Sequence, residues 1–419
     1  MGAALAAATL LPPFGASAVA AGGSVLPDGF LGAFFTSDDD VGTKFYVSVD
    51  GKVMRRLFSS ENLAGRDPSI RYHKQHFYAC FVAPKEGGNT FSIAKSRDLV
   101  NWTTKIYNVI DREPQTPNVW APDLFIDDNG AAYVYFAKQR ETDPKTGELK
   151  FDMYVSATAN IESADFGTAI KLNLPPESDS YIDAQVMRFG SDYYMVVKNE
   201  AITTNNQNKS PLLLKSVSPM GGFAEIADWP LAAVRGYEGF SIIRENGQVF
   251  IYGDNYSHRY DAVAASQHTV WHTDEKNIET GPYVADYVLS DRSLRHGSVI
   301  PITDDYAKEV IKQVAQNIDF PVDADDKVTE ITRLELNAAD YGGVEINKAG
   351  DFVIERFAPA PNVVYVVPSK KTITIKNIVN PYGVKDMTVS FKTGAGKIVL
   401  PHRTVNGDNK KVDRKIELP

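Results

Sequence analysis

A single cysteine, Cys80, occurs in 419 residues, so no disulfide can close within the chain. The thiol lies in the aromatic run His76 to Val82, where a small buried hydrophobe is the expected role rather than a nucleophile or ligand. A basic surplus is also missing. With 44 Lys and Arg against 53 Asp and Glu the net charge is -9, which argues against nucleic acid or an anionic membrane as a partner and suits a neutral polysaccharide. No G-x-S-x-G elbow, phosphate loop, dinucleotide fingerprint or H-E-x-x-H pair is present, so serine-hydrolase, NTPase, dehydrogenase and zinc-protease readings find no motif. The uncharged stretch Met1 to Gly23 is interrupted by Pro12-Pro13 and does not read as a membrane span. It lacks a basic start but closes on small residues, Ala16 to Ala21, and is expected to be a secretory signal, placing the protein outside the cell, in the periplasm or at the cell surface.

What the chain does have is repetition. Arg66-Asp67-Pro68-Ser69-Ile70, Trp120-Ala121-Pro122-Asp123-Leu124, Tyr181-Ile182-Asp183-Ala184-Gln185, Tyr237-Glu238-Gly239-Phe240-Ser241 and Arg295-His296-Gly297-Ser298-Val299 each open an apolar run. Most are followed by a tight turn and a second strand rich in Tyr and Phe. A period of roughly 55 to 60 residues is long enough for a propeller blade. Five starts predict an all-β fold, a five-bladed β-propeller over residues 24–320. Two strands near Leu31 to Phe35 and Lys44 to Val49, joined by the acidic loop Asp38-Asp39-Asp40, are expected to complete blade five and hide the sheet edges. A short helix is expected from Ala307 to Gln316. Beyond an acidic linker near Asp319 to Lys327, residues 328–419 alternate like a small β-sandwich domain; residues 331–419 hold 14 Lys and Arg against 9 Asp and Glu.

Innermost propeller strands line a central channel. One residue from each blade start is therefore expected at the channel mouth: Asp67, Asp123, Asp183, Glu238 and His296. Gathering carboxylates with one imidazole costs desolvation and repulsion, and such clusters are usually functional. Trp102 reads as core. Trp120, Tyr181 and Tyr237 are candidates either for stacking on sugar faces or for blade packing.

These segments together resemble glycoside hydrolase family 43 over about three quarters of the chain. The resemblance implies a general base at Asp67 in R-D-P-S-I, an orienting carboxylate at Asp183 in Y-I-D-A and a general acid at Glu238 in Y-E-G-F. It implies further that Asp123, Phe240 and Arg295 line the substrate site with the three aromatics. His296 in R-H-G-S-V-I matches an axial histidine that in many members faces a bound calcium or a water cluster, while the residue itself leaves plain hydrogen bonding open. Inverting hydrolysis needs one ionised and one protonated carboxyl on opposite sides of the sugar, and Asp183 or partial burial is expected to keep Glu238 protonated.

The sequence departs from common members at Ala184 and Phe240, where proline is frequent. The implied activity is release of terminal furanose or pentose units by a monomeric enzyme, with α-L-arabinofuranose foremost. β-Xylosidase activity is the nearest alternative, and a carbohydrate-binding propeller without catalysis is a second. Related fructan-acting propellers would need a W-M-N-D-P stretch, which is absent.

Overall fold

The computed structural model describes residues 29–36, 42–52, 54–82, 90–108, 118–145, 147–176, 180–200, 210–256, 268–288 and 294–317, and strands of a C-terminal module between 341 and 415. The signal-like segment 1–23, the loops 38–40 and 203–209 and the linker 319–327 lie outside the described residues. Among the described residues no helix is long and apolar enough to cross a membrane.

Five four-stranded antiparallel sheets form the blades of a propeller. The chain begins in the last of them with β1 (Gly29–Phe34), β2 (Gly42–Ser48) and β3 (Arg55–Ala64). Blade one follows as β4 (Arg66–His73), β5 (His76–Val82), β6 (Thr90–Ser96) and β7 (Thr103–Asn108). Blade two is β8 (Val119–Ile126), β9 (Ala132–Thr142), β10 (Leu149–Thr158) and β11 (Ile170–Lys171). Blade three is β12 (Tyr181–Phe189), β13 (Asp192–Asn199), β14 (Ser210–Ser216) and β15 (Ala224–Glu225). Blade four is β16 (Tyr237–Glu245), β17 (Gln248–Asn255), β18 (His268–Asp274) and β19 (Val284–Tyr287). Then β20 (Gly297–Ile302) pairs with β1 along its whole length and closes blade five, as expected. Both ends of the propeller chain thereby lie in one sheet and leave no open edge between them.

The aromatic second strands supply the core. Five apolar clusters each sit between two neighbouring blades. Cys80 is fully buried in the one between blades one and two, as its aromatic setting predicts. Trp102 stacks 5.9 Å from Phe45 and donates its indole N–H to Leu99 O at 2.6 Å, a packing role. Helix α1 (Asp305–Asn317) is capped by Asp304, whose side chain accepts the Tyr306 and Ala307 N–H groups at 2.9 and 3.1 Å. Ala307, Val310, Ile311 and Val314 form its apolar stripe, which joins the cluster shared by blades five and one. Ile373, Ile375, Ile398 and Leu400 of the C-terminal module join the same cluster. That module holds a five-stranded and a three-stranded sheet with several parallel pairs.

Two features of the inner strands set up the channel. In four of them one extra residue bulges out of the ladder, between Arg66 and Ser69, Trp120 and Asp123, Ile182 and Gln185, and Glu238 and Ser241. The residue that starts each bulge is left-handed: Asp67 (φ 54°), Ala121 (φ 44°), Asp183 (φ 56°) and Gly239 (φ 58°). Such bulges bend the strand and re-aim the side chains around them.

Just beyond each bulge, and at the matching place in blade five, a side chain accepts a backbone N–H from the next blade. Leu124 donates to Ser69 Oγ (3.2 Å), Val186 to Asp123 Oδ2 (3.5 Å), Ile242 to Gln185 Oε1, Val299 to Ser241 Oγ (3.2 Å) and Ile70 to Ser298 Oγ (2.6 Å). This belt of five bonds runs once around the axis and returns to its start.

Candidate active site

The side chains at the channel mouth come from three different registers, not one. Asp67 and Asp183 occupy the bulge itself, two residues before the belt, and His296 holds that same place in blade five, where β20 pairs without a shift; Glu238 is the residue before its bulge, and Asp123 lies two residues past Ala121, inside the belt. The expectation of five equivalent positions is thus corrected, because the bulges let different residues converge. Asp123 is 5 % exposed and accepts from Ser69 Oγ (2.7 Å), Arg71 Nη2 (2.9 Å) and Gln185 Nε2 (3.0 Å). It is a tie between blades, although it also lines the cavity that Asp67, Asp183 and His296 line.

His296 stands at the centre. Its Nδ1 is 2.9 Å from Asp67 Oδ1 and 3.9 Å from Asp183 Oδ1, and its Nε2 is 3.1 Å from Glu238 Oε1 and 4.0 Å from Asp254 Oδ2. Burial disfavours charge on this imidazole, but Asp183, Glu238 and Asp67 outweigh it and hold its pKa well above the usual histidine range. Asp67 loses water on burial, yet the His296 charge keeps its carboxyl below the ordinary aspartate value. Asp183 is pushed the other way by burial, against the pull of His296 and Lys198. Its Oδ2 accepts the backbone N–H of Gly239 at 2.8 Å, which ties blade three to the bulge next to Glu238.

Glu238 is the most heavily compensated acid. His296 faces one of its oxygens, and Lys198 Nζ donates to Oε2 at 2.9 Å. Arg295 Nη2 lies 3.8 Å from Oε1. Burial is opposed by His296 and Lys198, and the carboxyl is held far below its ordinary value. The expectation that Asp183 keeps Glu238 protonated therefore fails in the resting site. Two cations, His296 at 3.1 Å and Lys198 at 2.9 Å, decide the sign, and Asp183 is the group whose proton affinity is raised.

Gly239 is required here on two counts. Its φ is +58°, and a Cβ would sit 2.5 Å from Cδ2 of His296. Between the inner strands a cavity of about 30 Å³ is lined by Asp67, Asp123, Asp183, Gln185, Phe240 and His296 among others, room for about one water.

The remaining expected site residues divide. Trp120 is 37 % exposed, precedes its bulge as Glu238 precedes its own, and rests on Phe151 with ring centroids 4.4 Å apart. Arg295 is buried beside Glu238 and Asp254, its guanidinium 5.1 Å over Phe35. Tyr181 is 3 % exposed and spends its hydroxyl on Pro175 O (2.9 Å), so its ring packs blade three and offers no face to a sugar. Tyr237 packs on Trp271 and bonds Thr269 Oγ1 at 3.0 Å. Phe240 is 4 % exposed, in the core between blades three and four.

Lys198, Glu200 and Asp254 are not among the residues that the sequence pattern marks. Lys198 and Asp254 hold matching places, opposite the residue that precedes the bulge in their blades. The signal for them is a charged residue closing an apolar strand, in Val-Val-Lys-Asn and Tyr-Gly-Asp-Asn.

Asp183, Glu238 and His296 bring one potential ligand atom each within 4.8 Å of one another. Calcium takes about six to eight oxygens. Here two carboxylates are joined by an imidazole whose nitrogens face Asp67 and Glu238 and which is held charged. As direct ligands these groups do not fit calcium.

No curated protein matches the sequence. Among solved structures, an α-L-arabinofuranosidase from Lactobacillus brevis is 17% identical with a TM-score of 0.40, the match covering 52% of this chain and 71% of that one. A xylan β-1,4-xylosidase from Bacillus halodurans is 17% identical with a TM-score of 0.39, over 52% of this chain and 41% of that one. An exo-β-1,3-galactanase from Clostridium thermocellum is 12% identical with a TM-score of 0.40, over 55% and 51%. The profile of the glycoside hydrolase 43-related family, described as a probable glycosyl hydrolase domain, matches residues 70–308, more than half of the sequence. With a five-bladed propeller and that match, the chain belongs to the family-43-related glycoside hydrolases.

Proposed function

We propose that the protein is a secreted, monomeric, exo-acting and inverting glycosidase that removes terminal pentose or furanose units, α-L-arabinofuranose foremost, from neutral oligo- or polysaccharides. The observation that carries this reading is the placement of Asp67 and Glu238 against opposite nitrogens of one imidazole. The ring keeps the two carboxyls apart, as an inverting pair must be to admit a water beside the sugar.

In this reading Asp67, held ionised, takes a proton from water as it attacks the anomeric carbon. Glu238 gives a proton to the departing oxygen as the glycosidic C–O bond breaks. The resting Glu238 is ionised, but an imidazolium proton lies within reach, with Nε2 3.1 Å from Oε1. Moving that proton to Oε1 makes the acid and leaves a neutral imidazole. After turnover Asp67 carries the extra proton and Nε2 lacks one; Nδ1 keeps its own hydrogen, so Asp67 gives its proton to water and Nε2 is reprotonated from water. Asp183 orients the bulge beside Glu238 through Gly239, and Trp120 supplies a face for a sugar ring.

The test is a proton NMR time course of the protein with an aryl α-L-arabinofuranoside. β-Arabinose appearing first supports inversion by Asp67 and Glu238. The α anomer appearing first makes one carboxylate a nucleophile and overturns the mechanism; release from an aryl β-xylopyranoside instead reassigns the sugar.

A further inference from the structure

Lys198 reaches Glu238 from another blade with almost no contact with water. Its side chain is 2 % exposed, and it leaves β13 of blade three opposite Ile182 to meet Glu238 of blade four. A buried ammonium is costly unless it is fully paired. This one is paired with Glu238 Oε2 at 2.9 Å and with Glu200, and it sits 4.8 Å over the Tyr256 ring.

The pairing makes the two oxygens of Glu238 unequal. Oε2 accepts from Lys198, while Oε1 faces His296 Nε2 at 3.1 Å with Arg295 Nη2 at 3.8 Å. An ammonium has only donors and cannot accept a proton from the carboxyl it touches. We infer that Lys198 is the positioning residue of the general acid: it occupies Oε2, so that Oε1 is the atom that carries and delivers the proton. When the O–H bond of Oε1 breaks, the electron pair stays on the carboxylate and the ammonium on Oε2 stabilises it. This rests on the reading of Glu238 as the acid.

The experiment compares leaving groups. Wild type, E238Q, K198R and K198M/E200Q are assayed on aryl α-L-arabinofuranosides and aryl β-xylopyranosides bearing either phenol or dinitrophenol. The double variant removes the ammonium and its second partner together, so that Glu200 is not left buried without a counter-charge. Dinitrophenolate departs without a proton, so acid catalysis matters little for it. Losing a charge-assisted hydrogen bond corresponds to a kcat lower by about 10- to 100-fold on the phenyl glycoside. The expected result for K198M/E200Q is that loss on the phenyl glycoside, a change of no more than about twofold on the dinitrophenyl glycoside, and an unchanged KM. K198R keeps the charge and is expected to fall between the double variant and wild type.

Equal losses on both leaving groups would show that Lys198 only supports the fold and would sink the inference. If E238Q itself shows no leaving-group dependence, the acid assignment fails first; if wild type releases nothing from any glycoside, the functional reading fails with it. Thermal melts of each variant separate these outcomes from unfolding.

Discussion

The carboxylate of Asp183 accepts the backbone N–H of Gly239 at 2.8 Å, so an acid in blade three holds the left-handed bulge beside the acid of blade four. D183A leaves that buried N–H without its acceptor, and about 1–3 kcal/mol of stability is expected to be lost. D183N keeps an oxygen in place but removes the charge. It is expected to melt closer to wild type while its kcat falls by about 100-fold or more. Melting curves and rates on one aryl glycoside separate the two effects; identical behaviour of both variants would argue against the split.

Gly239 allows no side chain. In G239A a methyl group would enter the His296 ring space at a backbone angle that disfavours it. The strain is expected to cost about 1–3 kcal/mol. The displaced imidazole is expected to lower kcat by about 100-fold. A variant with wild-type rate and melting temperature would show that the bulge can reshape freely.

Asp123 is a stability residue in this structure. D123A removes the partner of the half-buried Arg71, leaves Ser69 and Gln185 without their buried acceptor and breaks the belt at blade two, with an expected cost of about 1–3 kcal/mol. Denaturant unfolding measures it. A loss of activity with no loss of stability would instead return Asp123 to the substrate site.

The charge cluster carries its own pH signature. Glu238 and Asp67 are held below their ordinary values of 4.5 and 3.8, so the stability they contribute is present above those values and is lost as pH falls through the folded pKa. His296 is raised above 6.5, so its contribution is complete below that value and is lost as pH rises through its folded pKa. Wild type is therefore expected to melt above E238Q near neutral pH. The gap should close as the solution becomes strongly acid, and a gap independent of pH would contradict the pairing.

Metal removal is expected to change nothing at this site. Activity and melting temperature before and after dialysis against a chelator check it, with added calcium as the control. Recovery of lost activity by calcium would show that these carboxylates and their imidazole do form a calcium site.

Much of the architecture could be read in the one-dimensional pattern. Five apolar runs at a steady period, each followed by an aromatic strand, can bury their faces only by packing blade on blade. The five interblade clusters hold those residues, and β20 closes on β1 for the same reason. Asp67, Asp183, Glu238 and His296 were legible too, since charges that are costly to bury recur at blade starts that converge on one axis.

Register and sign came from the three-dimensional fold. Strand alternation assigns faces by counting, and an extra residue in each of four inner strands breaks that count, so Asp123 passes into the belt while Glu238 comes forward from one position earlier than Asp67 and Asp183. The protonation of Glu238 depends on His296 and then on Lys198, a residue from another blade's second strand. The order of amino acids by itself determines which charges exist; distances of about 3 Å between blades, which no local pattern encodes, determine which of them holds a proton.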